Sequence, residues 1–457
     1  MSELLELAEK VAGWSRQGEA VEVYVSRRAE TEVRVFEGEV ESLSSATSAG
    51  AGIRVVAGRE VAGREAAGSR QGFAYAGSLD EEVLGETLDE ARDNAAFSTP
   101  ETWVGLPGPD GAAPAVLDLW RDELPGYPAQ RKVDAALDLE RRARAGDPRV
   151  RQVESATWGD VANEMAVASS LGMRASDRST ACYLSVMAVA GEGADSQVAV
   201  GHSVGRAPSD LVADKAAGEA VSRAVRLLGA VQPRSRHLTV VFEPRVSAQL
   251  LGLLGSVLSG ERVLKGRSLF AERMGEAVAG PLVTLVDDPT NQAAWGAACF
   301  DDEGLACRHN TMIEQGVLRR FLYDSTSARR AGTSSTASAV RAGFKSGPSV
   351  GARAVYLAPG EPSAEAVLAG VSDGLLVQAV SGLHSGVNLV SGDFSVGAVG
   401  LLIEGGTLGT PVREVTIASS IQRILQTVSA VGNDLEWLPS AAAGVTMAIA
   451  EMSMSGA

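Results

Sequence analysis

A strict alternation of apolar and polar side chains near the N-terminus constrains the fold more than any other feature of the chain. Val21, Val23 and Val25 fall on one face of an extended segment, and the same alternation resumes at Val33 and Val35. A two-residue repeat is typical of a half-buried β-strand. Glu37 and Gly38 then supply a turn-forming pair, after which the alternation begins again. The sequence therefore predicts two antiparallel strands joined by this turn.

Amphipathic helices are expected on either side of these strands. Ser2 and Asp80 each precede an apolar stripe with helical spacing and can cap a helix. Between the two helices, a further strand pair is expected around Ile53–Ala57 and Glu60–Ala66. Later helices are expected over Pro128–Ala145 and Ser209–Leu228.

Glycine content and chain length then limit the fold class. The chain has 457 residues, of which 51 are glycine, and only 5% are aromatic. Glycine at this frequency favours tight turns between many strands. The Pro- and Gly-rich stretch Thr99–Pro114 is expected to be a linker, and Gln232-Pro233 marks a second boundary. We predict an α+β fold, with a helix-flanked antiparallel sheet portion at the N-terminus followed by a strand-rich, barrel-like C-terminal domain. The expected domains are residues 1–100, 112–230 and 234–457.

The charge balance excludes some classes of partner. Lys and Arg total 41 against 57 Asp and Glu, which gives a formal net charge of −16. A nucleic-acid-binding surface needs clustered cations, so no nucleic-acid partner is expected. No apolar stretch approaches the roughly 20 residues that cross a bilayer, so no membrane association is expected. Acidic residues at the N-terminus and three scattered cysteines are typical of a cytoplasmic protein.

Two motifs contain residue types that are used in catalysis. Gly201–Gly205 fits the Gly-x-Ser-x-Gly pattern of serine hydrolases, with Ser203 as the nucleophile, although the next helix begins too late for the usual strand–turn–helix geometry. Cys299, Cys307 and His309 lie close together in sequence and could bind a metal, but their spacing matches no common zinc motif.

A Gly-rich polar stretch near the C-terminus is a candidate for peptide binding. Glycine allows backbone to approach a ligand closely, and an extended peptide could add to this stretch as a β-strand. The residues expected to face such a peptide are His384, Gly392, Asp393, Phe394 and Ser395.

Seven short segments carry a resemblance to a known family. They are Val35–Glu41, Gly50–Val56, Phe300–Gly304, Ile313–Gly316, Ser391–Ser395, Ile403–Gly406 and Val431–Asp434. In order and spacing over nearly the whole chain, they resemble the TldD/PmbA family. Its members were once labelled modulators of DNA gyrase and are now viewed as zinc metallopeptidase subunits.

The resemblance has implications for a metal site. In the family, one subunit of a pair carries His-Glu-x-x-x-His on a helix, and a cysteine near the C-terminus completes the zinc site. The corresponding helix here is Val246–Leu258, in which the two histidine positions fall on Leu251 and Ser256 and the glutamate position falls on Gly252. The segment Pro439–Ala457 contains no cysteine. The resemblance therefore implies that this chain has no catalytic residue and binds no metal.

The chain is thus similar to the PmbA-type subunit of the family, also called TldE. This implies a TldD-like, zinc-bearing homologue as partner in a heterodimer or larger assembly, or else a homodimer. It also implies extended or unfolded peptides as substrates. Three alternatives stay open: an independent metallopeptidase with atypical ligands, a serine hydrolase based on Ser203, and a peptide-binding protein without a protease partner.

Overall fold

Long antiparallel strands dominate the N-terminal half of the computed structural model, which describes residues 2–58, 60–61, 64–65 and 68–457. The strands of this half are β1 (Glu19–Phe36), β2 (Glu39–Ala57), β3 (Glu60–Val61), β4 (Arg64–Glu65), β5 (Arg70–Ala76), β6 (Val150–Ser169), β7 (Arg174–Ala190) and β8 (Gln197–Gly205). Its helices are α1 (Glu3–Ala12), α2 (Glu81–Phe97), α3 (Ala129–Ala145) and α4 (Ala213–Arg226).

Six of these strands form a fully antiparallel sheet in the order β5-β2-β1-β6-β7-β8. The turn between β1 and β2 places Glu37 and Gly38 at φ angles of 52° and 78°, the left-handed region that a two-residue hairpin requires. The helices cover one face of the sheet. Residues Val21 to Val25 of β1 pack with α1 and α2, whereas Val33 and Val35 pack with α3 and α4. The predicted helix-flanked antiparallel sheet is confirmed.

The strand that pairs with the end of β2 differs from the prediction. Residues 51–57 pair with β5, whereas β3 pairs with β4. β5 suits this position because its inward residues, Gly72, Ala74 and Ala76, are small where α2 packs. Residues 62, 63 and 66 of the expected strand Glu60–Ala66 lie outside the described residues.

The C-terminal half consists mainly of strands. They are β9 (Arg236–Phe242), β10 (Leu285–Asp287), β11 (Asn310–Glu314), β12 (Val317–Leu318), β13 (Ala339–Val340), β14 (Ser349–Val350), β15 (Val355–Leu357), β16 (Asp373–Ser381), β17 (Asp393–Glu404), β18 (Thr407–Ser420), β19 (Val428–Val431), β20 (Glu436–Trp437), β21 (Ala443–Gly444) and β22 (Met447–Ser455). The helices are α5 (Pro244–Val257), α6 (Gly260–Leu264), α7 (Ser325–Ala331), α8 (Ala364–Ala369), α9 (Leu383–Gly386) and α10 (Ile421–Gln426).

A closed barrel forms the centre of this half. Its sheet has the order β18-β17-β16-β9-β22-β19, and a further pairing of β18 with β22 closes it. β9 and β16 are parallel, whereas the other neighbours are antiparallel. Leu250, Leu251 and Leu254 of α5 belong to the same buried cluster as the inward residues of the barrel strands. The predicted barrel-like, strand-rich architecture is confirmed, and α5 is part of its core.

The predicted linker is fixed against the C-terminal half. Most of residues 98–128 form neither helix nor strand, yet the Arg329 side chain donates a hydrogen bond of 2.8 Å to the carbonyl oxygen of Trp103. Leu119 is buried beside Ala294 and Ala354.

No helix among the described residues has both the length and the apolar character that crossing a bilayer requires.

Two glycines near α4 give a test of how closely this helix packs on the sheet. A methyl group at Gly201 of β8 would overlap the carbonyl oxygen of Ala216 and lie 2.7 Å from the Ala220 nitrogen. We expect Gly201→Ala to lower the free energy of unfolding by about 1–3 kcal/mol, because the backbone of α4 must shift. The measurement is urea-induced unfolding. Gly218→Ala on the same helix is the matched control, since nothing lies within 4 Å of the added methyl group; it should stabilise the helix by up to about 1 kcal/mol. Equal stability of the two variants would contradict the close packing.

Candidate functional site

Helix α5 carries the positions at which the family resemblance places metal ligands. The helix begins at Pro244, whose missing N–H costs nothing at a first helical position. Leu251 is 1% exposed and points into the barrel core. Gly252 and Ser256 line a cavity of about 370 Å³ between α5 and the strand β14. The helix therefore retains an open cavity at the positions in question.

The residues at this cavity do not fit a zinc ion. Zinc in proteins is bound by cysteine, histidine and carboxylate side chains, whereas no histidine or cysteine lines the cavity. Its carboxylate, Glu261, forms an ion pair with Lys265. Leucine and glycine side chains at 251 and 252 supply no donor atom. Across the described residues, no three His, Cys, Asp or Glu side chains are grouped so that they could hold a metal ion.

The predicted peptide-binding segment is a hydrogen-bonded structure at the start of β17. Gly392, at φ 88°, donates to the Asn388 carbonyl at 2.8 Å, and the Ile421 nitrogen donates to the Gly392 carbonyl at 2.7 Å. The positive φ angle favours glycine at position 392, and a side chain there would also displace the end of the Gln422 side chain. The segment is therefore attached firmly to α10.

The five residues predicted to face a peptide have different environments. His384, Asp393 and Ser395 are exposed, and Gly392 is buried. Phe394 is 2% exposed and belongs to the barrel core. A peptide at this segment would meet the three exposed side chains and not the Phe394 ring. Their role in peptide binding stays a prediction.

The acidic loop Phe300–Gly304 lies at the contact between the two halves of the molecule. Glu303 is fully buried and accepts a hydrogen bond of 2.9 Å from Arg54 of β2. Arg54 also pairs with Glu22 of β1 at 2.5 Å. Ser325 donates to Glu303 through both its nitrogen, at 2.9 Å, and its hydroxyl, at 2.7 Å. Carboxylates from both halves thus share one arginine.

A second layer of charges completes this junction. The Arg341 side chain pairs with Glu22, and Arg353 pairs with Asp302 at 2.7 Å. Burial alone would raise the pKa of Glu303, but Arg54 and Ser325 hold it below its ordinary value. A carboxylate that is fully paired and stays ionised can stabilise the fold but is poorly suited to proton transfer. The loop therefore joins the N-terminal sheet to the barrel half.

Three family models match the chain in succession. They describe domain 1 (residues 21–95), the central domain (122–228) and the C-terminal domain (235–456) of PmbA/TldA metallopeptidases. The chain belongs to the PmbA/TldD family. The acidic loop and α5 both lie within the C-terminal domain of this family.

Similarity to individual proteins extends over the full length. The chain is 27% identical to the metalloprotease PmbA of Escherichia coli O157:H7 over 465 aligned positions, covering 100% of this chain and 95% of that protein. It is 29% identical to a TldD homologue of Haemophilus influenzae over 67% of this chain and 65% of that protein. The fold matches TldE from Thermococcus kodakarensis with a TM-score of 0.87 at 24% identity, covering 99% of both chains. A Thermotoga maritima protein described as a modulator of a DNA gyrase gives a TM-score of 0.88 at 22% identity, covering 98% of this chain and 99% of that one.

In this PmbA/TldD family chain, Ser203 lacks the geometry of a hydrolase nucleophile. It lies inside β8 and not at a strand-to-helix turn. The Ser203 hydroxyl is buried and accepts a hydrogen bond of 2.9 Å from the Val212 nitrogen. His202 cannot serve as its base, since adjacent residues of a strand point to opposite faces. The motif is therefore part of the packing between β8 and the start of α4.

The cysteines and His309 do not form a metal site either. The Cys307 nitrogen donates to the Cys299 carbonyl at 3.0 Å in a short hairpin. Burial raises the pKa of the Cys299 thiol to about 11 and that of Cys307 well above its ordinary value, so both stay protonated at neutral pH. His309 contacts Asp288 through Nδ1 at 3.0 Å and Thr311 through Nε2 at 3.3 Å. Both ring nitrogens are thus occupied by protein contacts.

Sequence reasoning missed a second junction, between β8 and α5. Arg245 Nη2 lies 2.7 Å from His202 Nδ1, and the Arg245 side chain also contacts the Val200 carbonyl. Nearby, Arg223 of α4 pairs with Glu243 at 3.0 Å. A ring nitrogen that accepts from arginine must be unprotonated. The lone histidine of the Gly-x-Ser-x-Gly motif was the available signal, but its partner arginine lies 43 positions away.

This contact makes stability depend on pH. Burial, and then Arg245, lowers the pKa of His202 to about 4. The unfolded chain, with a histidine pKa near 6.5, therefore takes up a proton first as the pH falls. We expect protonation of His202 in the unfolded chain to lower the free energy of unfolding by about 2 kcal/mol when the pH falls from 7 to 5. In His202→Asn, an amide oxygen can accept from Arg245 without titrating, so this part of the loss should disappear.

Urea unfolding at the two pH values measures the difference. His384→Asn is the matched control, because His384 is exposed and makes no contact with the junction. Its pH dependence should equal that of the unmodified chain. The same slope in His202→Asn would show that the imidazole does not titrate as the geometry requires.

Proposed function

We propose that this chain is the non-catalytic, PmbA/TldE-like subunit of a cytoplasmic metallopeptidase that acts on extended or unfolded peptides. The zinc ion and the catalytic groups belong to a TldD-like partner. The proposal is carried by the side chains on α5: the family resemblance places the two histidines at Leu251 and Ser256 and the glutamate at Gly252, and leucine and glycine supply no donor atom. The acidic balance of the chain fits a partner that is neither nucleic acid nor membrane.

The fold supports a scaffolding role without metal. α5 is held by leucines in the barrel core, so its position needs no metal ligation. The cavity beside Gly252 and Ser256 persists although neither histidine nor cysteine lines it. An independent metallopeptidase with atypical ligands would need Cys299, Cys307 and His309 to converge, and their present contacts oppose that.

Metal analysis of the purified chain tests the proposal. We expect no stoichiometric zinc in the chain alone, and about one zinc ion per heterodimer after co-expression with a metal-bearing homologue. Peptide cleavage should appear only in the heterodimer. Plasma mass spectrometry and cleavage of an unfolded peptide are the measurements.

Two outcomes would contradict the proposed function. Stoichiometric zinc in the chain alone, lost in Cys307→Ser but kept in Cys182→Ser, would replace the proposal with an independent metallopeptidase. Cys182 is the matched control because it is a buried thiol in the N-terminal sheet, far from the hairpin. Failure of the two chains to co-purify would refute the partnership.

We further propose that the partner pairs with the outer edge of β2. β5 covers this strand only from residue 51 onward, and residues 39–48 are all exposed. Within the described chain, no strand pairs with that outer edge. Charged side chains and prolines usually protect a sheet edge from added strands, and residues 42–49 include neither. An added strand from a second subunit would satisfy the free backbone groups.

Charged substitutions at this edge test the pairing. We expect the double variant Leu43→Lys and Thr47→Lys to bind the homologue at least about tenfold more weakly, because buried like charges oppose strand addition. The measurement is the affinity of each variant for the homologue immobilised on a sensor surface. Val198→Lys, on β8 at the other edge of the sheet, is the matched control and should bind normally. Unchanged affinity of the double variant would exclude this edge but not the partnership.

A further inference from the structure

A cavity of about 570 Å³ lies between the two halves, away from α5 and the acidic loop. The N-terminal half contributes the end of β8, the next residue Arg206, and the segment around Arg121. The C-terminal half contributes the loop with Asn291 and Trp295, and also Trp437 of β20. Its volume falls within the range of small-molecule and peptide sites.

Arg206 brings a positive charge to this cavity without a carboxylate partner. Its guanidinium donates to three backbone carbonyl oxygens, those of Thr180 at 3.2 Å, Gln292 at 3.2 Å and Ala294 at 2.7 Å. The nearby Asp210 carboxylate instead accepts from the backbone nitrogens of residues 206 and 207, both at 2.9 Å. No carboxylate of the described residues forms an ion pair with Arg206. Burial, and then the neighbouring Arg121, lower the pKa of Arg206, whereas the charges of Asp177, Asp118 and Asp210 act in the opposite direction.

Arg206 is half-buried and its guanidinium donates only to carbonyl oxygens, so its charge is free to attract an anion at the cavity. Removing a charge from water is costly unless an opposite charge compensates it. The chain carries 57 acidic side chains against 41 basic ones, so acidic partners are abundant. Arg206 and Arg121 line the same cavity together with Asp210, and Arg121 also forms an ion pair with Asp118 at 2.8 Å. An anionic ligand would relieve the repulsion between the two arginines.

Two indole rings supply an apolar surface beside these cations. Trp295 and Trp437 are both half-buried and both line the cavity. Tyr183 packs edge-on against Trp295 with ring centroids 6.4 Å apart, and Tyr356 packs edge-on against Trp437 at 5.9 Å. These contacts fix both rings in place. Rigid aromatic surfaces favour binding of apolar and aromatic groups.

One short segment contributes both to this cavity and to the cavity at α5. Trp437 lines the first, and Ala441 of the same short segment lines the second. The Val355 nitrogen donates to the Ala441 carbonyl at 2.8 Å, which holds this segment in place. The two cavities are therefore linked through four positions of one ordered segment.

We propose that this cavity binds the C-terminal end of a peptide. The terminal carboxylate contacts Arg206 and Arg121, and the last side chain, apolar or aromatic, packs against Trp295 and Trp437. This inference rests on the proposed function for the class of ligand, a peptide, but not for metal content or partnership. A free aromatic acid has the same carboxylate-plus-ring chemistry, and the experiment separates the two.

Binding is measured on the full chain by isothermal titration calorimetry with three probes. They are N-acetyl-Ala-Ala-Phe with a free carboxylate, the same peptide with a C-terminal amide, and phenylacetate. The free acid should bind saturably, and the amide at least about tenfold more weakly, since charge-assisted hydrogen bonds are roughly twice as strong as neutral ones. Phenylacetate should bind more weakly than the peptide acid. Equal binding of acid and amide, or no saturable binding of the acid, would overturn the proposal. Tighter binding of phenylacetate would replace the peptide with a small aromatic acid.

Two variants locate the binding site. Trp295→Ala should weaken binding of the peptide acid about tenfold, whereas Trp103→Ala should leave it unchanged, because Trp103 stacks with Arg330 outside the cavity. Arg206→Gln should remove the preference for acid over amide, with circular dichroism confirming that the variant folds. Normal binding by Trp295→Ala would place the peptide elsewhere. Zinc in the chain alone would refute the proposed function and leave this result standing.

Discussion

The buried contact of Arg54 with Glu22 and Glu303 fixes the two halves of the molecule relative to each other. An ionised group in a protein interior costs several kcal/mol unless it is paired and hydrogen-bonded. Arg54 and both carboxylates are at most 2% exposed, so each is tolerated only while the others are in place. Because Glu303 comes from the barrel half and Glu22 from the sheet half, separating the halves would expose an incomplete set of charges.

This junction determines surfaces that neither half forms alone. The cavity around Arg206 has one wall from the sheet half and another from the loop that carries Trp295. The contact between His202 and Arg245 attaches the halves a second time, at β8, whereas Glu22 lies on β1 near the centre of the sheet. Two separate attachments restrain rotation more effectively than one. The geometry of the interdomain cavity therefore depends on the charged residues on both sides of it.

Local patterns in the sequence predicted local structure well and long-range contacts poorly. The alternation of Val21 to Val25 and the turn at Glu37 and Gly38 depend on neighbouring residues, so the hairpin and the antiparallel sheet could be predicted. The partner of Arg54 lies 249 positions away at Glu303, and no periodicity encodes such a contact. The acidic loop was recognisable as a family segment, but its role depends on tertiary structure. The same holds for the cavity around Arg206, whose walls come from widely separated segments.

The packing of α5 in the barrel core holds this helix in place through apolar contacts. Leu251 is almost completely buried in the barrel core, where an apolar side chain of this size contributes roughly 1.5–3 kcal/mol. A histidine there would bury a polar ring among Leu250, Leu254 and their neighbours, at a cost unless a metal or hydrogen-bond partner compensated it. A leucine at this position therefore strengthens the core and supplies no donor atom. The position of α5 therefore does not depend on a metal ion, as the proposed supporting role requires.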